Sequence, residues 1–436
     1  MSAAIETSSE SNPPASASPA PSELLSGRLG AFRALRHRNF RLFFGGQFTS
    51  LIGTWMQSVA QGWLVLKLSN SPLMLGVVSF AGYLPVLVVA LFAGVVVDHI
   101  DRRRLIVTTQ ALLMLSALIL AALTWAGVVR VEHVIALAAF NGLVTAFDMP
   151  GRQAFVVEMV GREDLPNAIA LNSMIFNGAR IVGPAVAGVL ISVIGIAGCF
   201  LLNGLSYIAV IWSLVEMELA PREVARIGSA MFARLREGFD YIWHHRASFY
   251  LLLVIALAAG FGMQYSVLIP VFARDVLHGQ ALAYGFLLAA QGVGALLGAL
   301  VLASCKTAPA LRQNLIVGLF GAAAGIFVFG LSPWMWLSLV AQMVIGAGLM
   351  NYMATSNTML QLFVSDDLRG RVMSMYTLSF IGFAPIGSLE VGYVGERLSP
   401  QIAVALSALA TLACGIILVT RLSVIADAQA GGERVA

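Results

Sequence analysis

The sequence predicts an all-α membrane protein, with twelve transmembrane helices in two pseudo-symmetric six-helix halves. Three observations carry that expectation. Of 436 residues, 59% are hydrophobic and only 11% are charged, against about 25% charged in soluble domains. A soluble core cannot hide that much apolar side chain, so lipid must be the solvent. Next, twelve segments approach the roughly 20 apolar residues that a helix needs to cross a bilayer. They lie near 41–66, 73–97, 104–128, 134–156, 168–194, 197–217, 249–273, 282–304, 313–331, 334–358, 371–394 and 401–421. Third, Lys and Arg are sorted between the connecting loops: 21 fall on one side and four (Lys67, Arg130, Arg274, Arg397) on the other. The rich side faces the cytoplasm by the positive-inside rule. Both ends are therefore expected in the cytoplasm of an inner (plasma) membrane.

Residues 1–30 are rich in Ser, Ala, Pro and Glu and lack a basic stretch followed by an apolar core. They read as a disordered cytoplasmic tail rather than a signal peptide. The first half spans 31–217, a polar linker 218–248, the second half 249–422, and a second tail 423–436. The halves echo each other: Phe40 and Phe249, like Gly76 and Gly285, are 209 residues apart, and Asp164-Leu165 matches Asp367-Leu368. Within the linker, residues 231–242 alternate apolar and charged side chains at helical spacing, as an amphipathic surface helix or a solvated one would.

The first span carries Gln47, Thr54, Ser58 and Gln61 on one helical face, with Trp55 and Trp63 on others. Such a stripe faces a water-filled cavity or another helix. Asn141, Asn172, Gln264, Gln291, Asn351 and Tyr376 add single polar groups to spans 4, 5, 7, 8, 10 and 11. Each is either a cavity residue or an interhelical hydrogen bond. As a set they describe a cavity that is polar but poor in charge, suited to a large neutral or amphipathic molecule. Asp148 and Arg180 lie inside the membrane, where a buried charge costs about 2.5–3.5 kcal/mol and is a functional candidate. Three roles stay open for them: a structural ion pair, a gating pair, or direct binding of substrate or proton.

Between spans 2 and 3 the chain reads Gly94-Val-Val-Val-Asp98-His-Ile-Asp101-Arg102-Arg103-Arg104. Asp101 is placed to cap the third span. Asp98 sits at the negative end of the second, where an acid needs a positive partner. This spacing resembles the signature loop of major facilitator superfamily transporters, in the branch of the enterobactin exporter and macrolide-efflux-like proteins. Residues 147–188, with Gly178, Gly183, Pro184 and Gly188 in span 5, resemble the same branch. The resemblance implies the major facilitator fold, alternating access, and a loop that latches the cytoplasmic side against Arg369 and Arg371. It implies export driven by protons of a siderophore- or drug-like small molecule, with uptake or lipid movement as the rival and a non-transporting scaffold as the rival of another class. The second half has Ala303 and Thr307 in place of Gly94 and Asp98, so one such latch is expected.

No G-x-x-x-x-G-K-[ST] loop, nucleophile elbow or metal-ligand spacing of His and Cys occurs in the sequence. The expectation is no enzyme, no cofactor and no metal. Cys199, Cys305 and Cys414 read as packing residues. The partners expected are the small-molecule substrate, protons and membrane lipid, with no nucleic acid and a monomeric chain.

Overall fold

The computed structural model describes residues 32–218, 240, 242–305, 307–364 and 366–421. The chain is helical throughout, with no strand among the described residues. Its elements are α1 (Arg38–Ser69), α2 (Pro72–Asp98), α3 (Arg102–Trp125), α4 (Val131–Val160), α5 (Leu165–Val215), α6 (Arg246–Leu257), α7 (Ala281–Ser304), α8 (Ala308–Leu331), α9 (Met335–Phe363), α10 (Asp366–Gly382), α11 (Ala384–Arg397) and α12 (Pro400–Thr420).

Local chemistry sets several of these boundaries. Asn70 adopts φ 51° and ends α1 in a left-handed turn, a conformation Asn tolerates. Ser71 accepts from Met74 N at 3.2 Å and Pro72 opens α2. Asp101 accepts from Arg104 N at 2.9 Å and caps α3, as expected. Thr307 and Ser399 cap α8 and α12 in the same way.

Ten helices among the described residues are long and apolar enough to cross a membrane. Two local features separate that number from the expected twelve. The 51-residue α5 is one helix by hydrogen bonding, yet Gly195 breaks it with φ 75° and ψ 174°, a conformation that needs glycine. The polar stripe of α1 leaves it outside the ten. The seventh expected span is irregular. After α6 it passes through a π turn at Ala258–Gly262, a 3-10 turn at Met263–Leu268 and a second π turn at Phe272–Val276. The eleventh expected span is divided at Phe383 into α10 and α11, with Pro385 in the first turn of α11.

In the first five helices, α1 packs on α5, α2 on α4, and α3 on both α4 and α5. In the second group, α7 packs on α9, α8 on α9 and α12, and α11 on α12. Two seams join the groups: α5 against α7, and α2 against α11. Both depend on glycine for close approach. A Cβ on Gly285 would meet the Pro184 carbonyl, and one on Gly76 would meet the Ser388 carbonyl. These contacts lie near the face opposite the arginine-rich one, at the start of α2 and α7 and in the first two-thirds of α11.

Both terminal tails and nearly all of the linker, including the expected amphipathic helix at 231–242 apart from Asp240 and Ile242, lie outside the described residues.

Candidate functional site

A cavity of about 960 Å³ lies between the two groups. It is built unequally. α1, α2, α4 and α5 supply most of the wall, while the second group contributes Met263, Ser266, Val267 and Pro270, then Tyr284, Leu288 and Gln291 of α7, and Leu349 of α9. The α1 stripe faces it: Gln47, Thr54, Ser58 and Gln61 all line the cavity, at the one-face spacing read from the sequence. The hydroxyls of Thr54 and Ser58 donate to Ser50 O and Thr54 O, at 2.9 and 3.1 Å. Their lone pairs remain for a ligand. Trp55, expected on another face, lines the cavity as well.

Asp148 is 3% exposed at the cavity wall on α4. Its carboxylate accepts from Thr109 Oγ1 at 2.6 Å, Gln110 Nε2 at 2.9 Å and Arg152 Nε at 2.6 Å, and Arg152 Nη2 makes a second, shorter contact. The structure therefore pairs Asp148 with Arg152 of its own helix rather than with Arg180. The separation of four residues brings both onto one face of α4, so the pair forms without any interhelical reach. By position in the sequence Arg152 counts among the 21 Lys and Arg of the rich side, and the i, i+4 spacing is the signal that pairs it with Asp148.

Arg180, on α5, turns towards the second group. Its Nη2 donates to Gln291 Oε1 at 3.3 Å, and its guanidinium lies 5.8 Å from the Trp55 ring centroid. Gln291 Nε2 donates in turn to Tyr265 Oη at 2.7 Å, and Tyr265 Oη donates to Gln342 Oε1 at 2.9 Å. A polar chain thus runs from Arg180 at the cavity wall, across the α5–α7 seam, to Gln342 in α9. Tyr265 sits in the 3-10 turn of the irregular segment. Neither Tyr265 nor Gln342 stands out in sequence, because a buried Tyr or Gln in a span has no periodic signature.

Of the other polar candidates, Asn141 and Asn172 line the cavity with Gln291. Gln264, Asn351 and Tyr376 do not, and here the structure differs from the sequence reading. Gln264 turns back to donate to Ala259 O at 2.9 Å, satisfying a carbonyl loosened by the adjacent π turn. Asn351 packs against Gly318 of α8. Tyr376 donates to Met353 O of α9. Gln264 and Tyr376 make the local or interhelical bond that a single polar residue in a span can equally make, whereas Asn351 contributes packing.

The span-5 glycines are contact points. Gly183 packs against Trp55 and Ile52 of α1, and Gly188 against Leu282 of α7. Gly178 has Phe48 within van der Waals reach, and the Pro184 carbonyl abuts Gly285. In the signature loop, Gly94 lies within α2 where an added Cβ would meet open space, and the loop arginines reach elsewhere in the first group. Arg102 donates to Ala154 O at 3.0 Å and to Glu158 at 2.9 Å, and Arg103 to Val215 O. Arg103 thereby satisfies the last carbonyl of α5, and Arg102 ties the start of α3 to the last third of α4. The expected contact of Asp98 with Arg369 and Arg371 involves an Asp98 side chain outside those described. On the opposite face, Glu396 of α11 accepts from Leu73 N at 3.1 Å and from Ser71 Oγ, tying α11 to the start of α2. The three cysteines are free, and the described residues contain no cluster of His, Cys, Asp and Glu able to hold a metal.

The family described as transmembrane secretion effector matches residues 29–431. The chain is 25% identical over 354 residues to the staphyloferrin A transporter of Staphylococcus aureus, covering 80% of this chain and 87% of the relative. It is 28% identical over 358 residues to the multidrug efflux pump Tap of Mycolicibacterium fortuitum, with the same coverage of 80% and 87%. In fold it resembles the crystal structure of a bacterial homologue of the human lysosomal transporter Spinster, inward-facing and unoccupied. That likeness has a TM-score of 0.66 at 15% identity and covers 91% of this chain and 98% of the other. The profile spans nearly the whole chain, and the signature loop and cavity fall inside it: this protein belongs to the transmembrane secretion effector family of major facilitator superfamily transporters.

Proposed function

We propose that this chain exports a hydrophobic or amphipathic small molecule, siderophore- or drug-like, in exchange for protons. The observation that carries the reading is the cavity. At about 960 Å³ it falls within the range of about 300–1,000 Å³ usual for small-molecule sites. Its wall is polar on α1 and aromatic at Trp55, Phe176 and Tyr284. The names of the relatives, a siderophore transporter and a multidrug efflux pump, support a cargo of this kind. The chain works as a monomer in the lipid of an inner membrane, with the arginine-rich face and both ends in the cytoplasm.

Alternating access comes from rocking the halves 31–217 and 249–422 about the cavity. In the state described, the α2–α11 and α5–α7 seams meet near the arginine-poor face. When they part, the Asp98 loop latches the arginine-rich face against the start of α10. Asp148 is the coupling candidate: protonating it removes the charge that holds Arg152 and frees that guanidinium to the cavity.

Flux into proteoliposomes tests this. With the arginine-rich face outward and the lumen acidic, substrates from an amphipathic panel should accumulate inside. Asp98→Asn should lose that flux while eluting as a folded monomer. Accumulation in the opposite sense rejects export and leaves uptake. Indifference to the pH gradient rejects proton coupling. Absence of flux together with absence of inward–outward exchange between spin labels favours a scaffold.

A further inference from the structure

The charge on the cavity wall is unbalanced. Among the described residues lining it, three are charged: Asp148, Arg152 and Arg180. Asp148 and Arg152 neutralise each other at close range. Arg180 is left with one neutral oxygen, Gln291 Oε1 at 3.3 Å, and the face of Trp55 at 5.8 Å. A guanidinium carries five N–H donors in a planar fork that matches a carboxylate. A cation kept inside a membrane without a carboxylate partner is costly, and such residues mark ligand pathways.

The surroundings of Arg180 add shape to that charge. Asn177 and Ser173, one and two turns earlier on α5, line the same wall. Phe176 packs edge-on against Trp55, with ring centroids 5.8 Å apart. One cationic fork therefore stands beside one aromatic wall, with small polar groups along the edge.

We propose that Arg180 anchors the single anionic group, of the carboxylate class, of an amphipathic cargo whose flat or apolar body lies on Trp55 and Phe176. The proposal deepens the exporter reading and rests on it only for the word cargo. It excludes a lipophilic cation as the preferred ligand, because like charge would meet Arg180 with no free acid opposite. It also gives the polar chain a purpose. An anion that takes the guanidinium draws it from Gln291, and Gln291 holds Tyr265 in the irregular segment Met263–Leu268. Occupancy is thereby signalled across the α5–α7 seam.

A matched pair of probes tests the anchor without requiring transport. Dansyl-phenylalanine has a free carboxylate, and its amide has the same body without the charge. Binding is read by fluorescence anisotropy on the full chain in phosphatidylcholine nanodiscs. The acid should bind at least about tenfold more tightly than the amide, as a charge-assisted fork contact implies. Arg180→Gln should abolish that preference and leave the amide within about twofold. Arg180→Lys should keep part of it, since the charge remains but the fork is lost. Displacement of the acid by phosphatidylglycerol supports the anionic site and assigns it to lipid; no displacement assigns it to soluble acids. Equal binding of acid and amide by the wild type, preference for the amide, or binding of neither overturns the proposal. The wild-type comparison stands even if a variant misfolds. Preference for the acid without flux leaves the anchor and removes export, whereas flux without preference does the reverse.

Discussion

The two groups of helices treat the cavity differently. The first supplies its charges and most of its polar wall, through Gln47, Thr54, Ser58, Gln61, Asn141, Asp148, Arg152, Asn172 and Arg180. The second lends Ser266, Tyr284 and Gln291 to the wall and bonds other polar residues to itself: Tyr265 to Gln342, Asn314 to Thr355, Gln264 to Ala259 O and Tyr376 to Met353 O. It also holds the irregular segment after α6 and the break at Phe383 between α10 and α11. A pseudo-symmetric chain has thus divided labour. One half presents most of the chemistry, and the other holds most of the π and 3-10 backbone, which is tolerated at membrane depth only where protein covers it.

The most severe way to break this division is to unbalance the Asp148–Arg152 pair. Arg152→Ala leaves a carboxylate that is 3% exposed with two neutral donors only. A loss of about 3–5 kcal/mol of stability is expected, read as a fall in melting temperature in detergent. Adding Asp148→Asn to that variant should recover most of the loss. If Arg152→Ala melts like the wild type, the pair is not structural.

A second test sets the seam against the wall. Gly76→Val places a Cβ against the Ser388 carbonyl and should cost about 1–3 kcal/mol in the state described. Spin labels across the start of α2 and the end of α11 should therefore report a wider separation. An unchanged distance distribution would show that the seam yields by local adjustment instead.

The polar chain predicts a contrast of moderate size. Tyr265→Phe strips Gln291 Nε2 and Gln342 Oε1 of their partner and should cost about 1–3 kcal/mol. Gln61→Leu, at the cavity wall, should leave the melting temperature nearly unchanged while altering ligand binding. Equal effects from the two would erase the distinction between self-satisfied and ligand-facing polar groups.

The smallest effect belongs to Glu396, which is exposed where it meets Ser71 and Leu73. Glu396→Gln should shift stability by less than about 1 kcal/mol and mainly bias the seam towards opening, measured with the same spin labels.

The sequence by itself determined the solvent of the protein, its helical class, the positions of most spans and the superfamily. Hydropathy, loop charge and capping residues are local quantities, so Ser71-Pro72, Asp101 and Ser399-Pro400 mark helix starts in the text of the chain as plainly as in space. The α1 stripe was legible for the same reason: helical periodicity alone places Gln47, Thr54, Ser58 and Gln61 together. Periodicity does not reveal which neighbour a face meets. Asp148 could take Arg152 or Arg180; the i, i+4 spacing on α4 favours Arg152, and only the packing of α5 on α7, which turns Arg180 to Gln291, removes the alternative. Gln264, Asn351 and Tyr376 turned from the cavity because their helices rotate them towards neighbouring backbone. Gln291 turned into it, opposite Arg180, because glycines let α7 approach α5. Those outcomes depend on the rotation and spacing of whole helices, quantities that no short stretch of residues encodes alone.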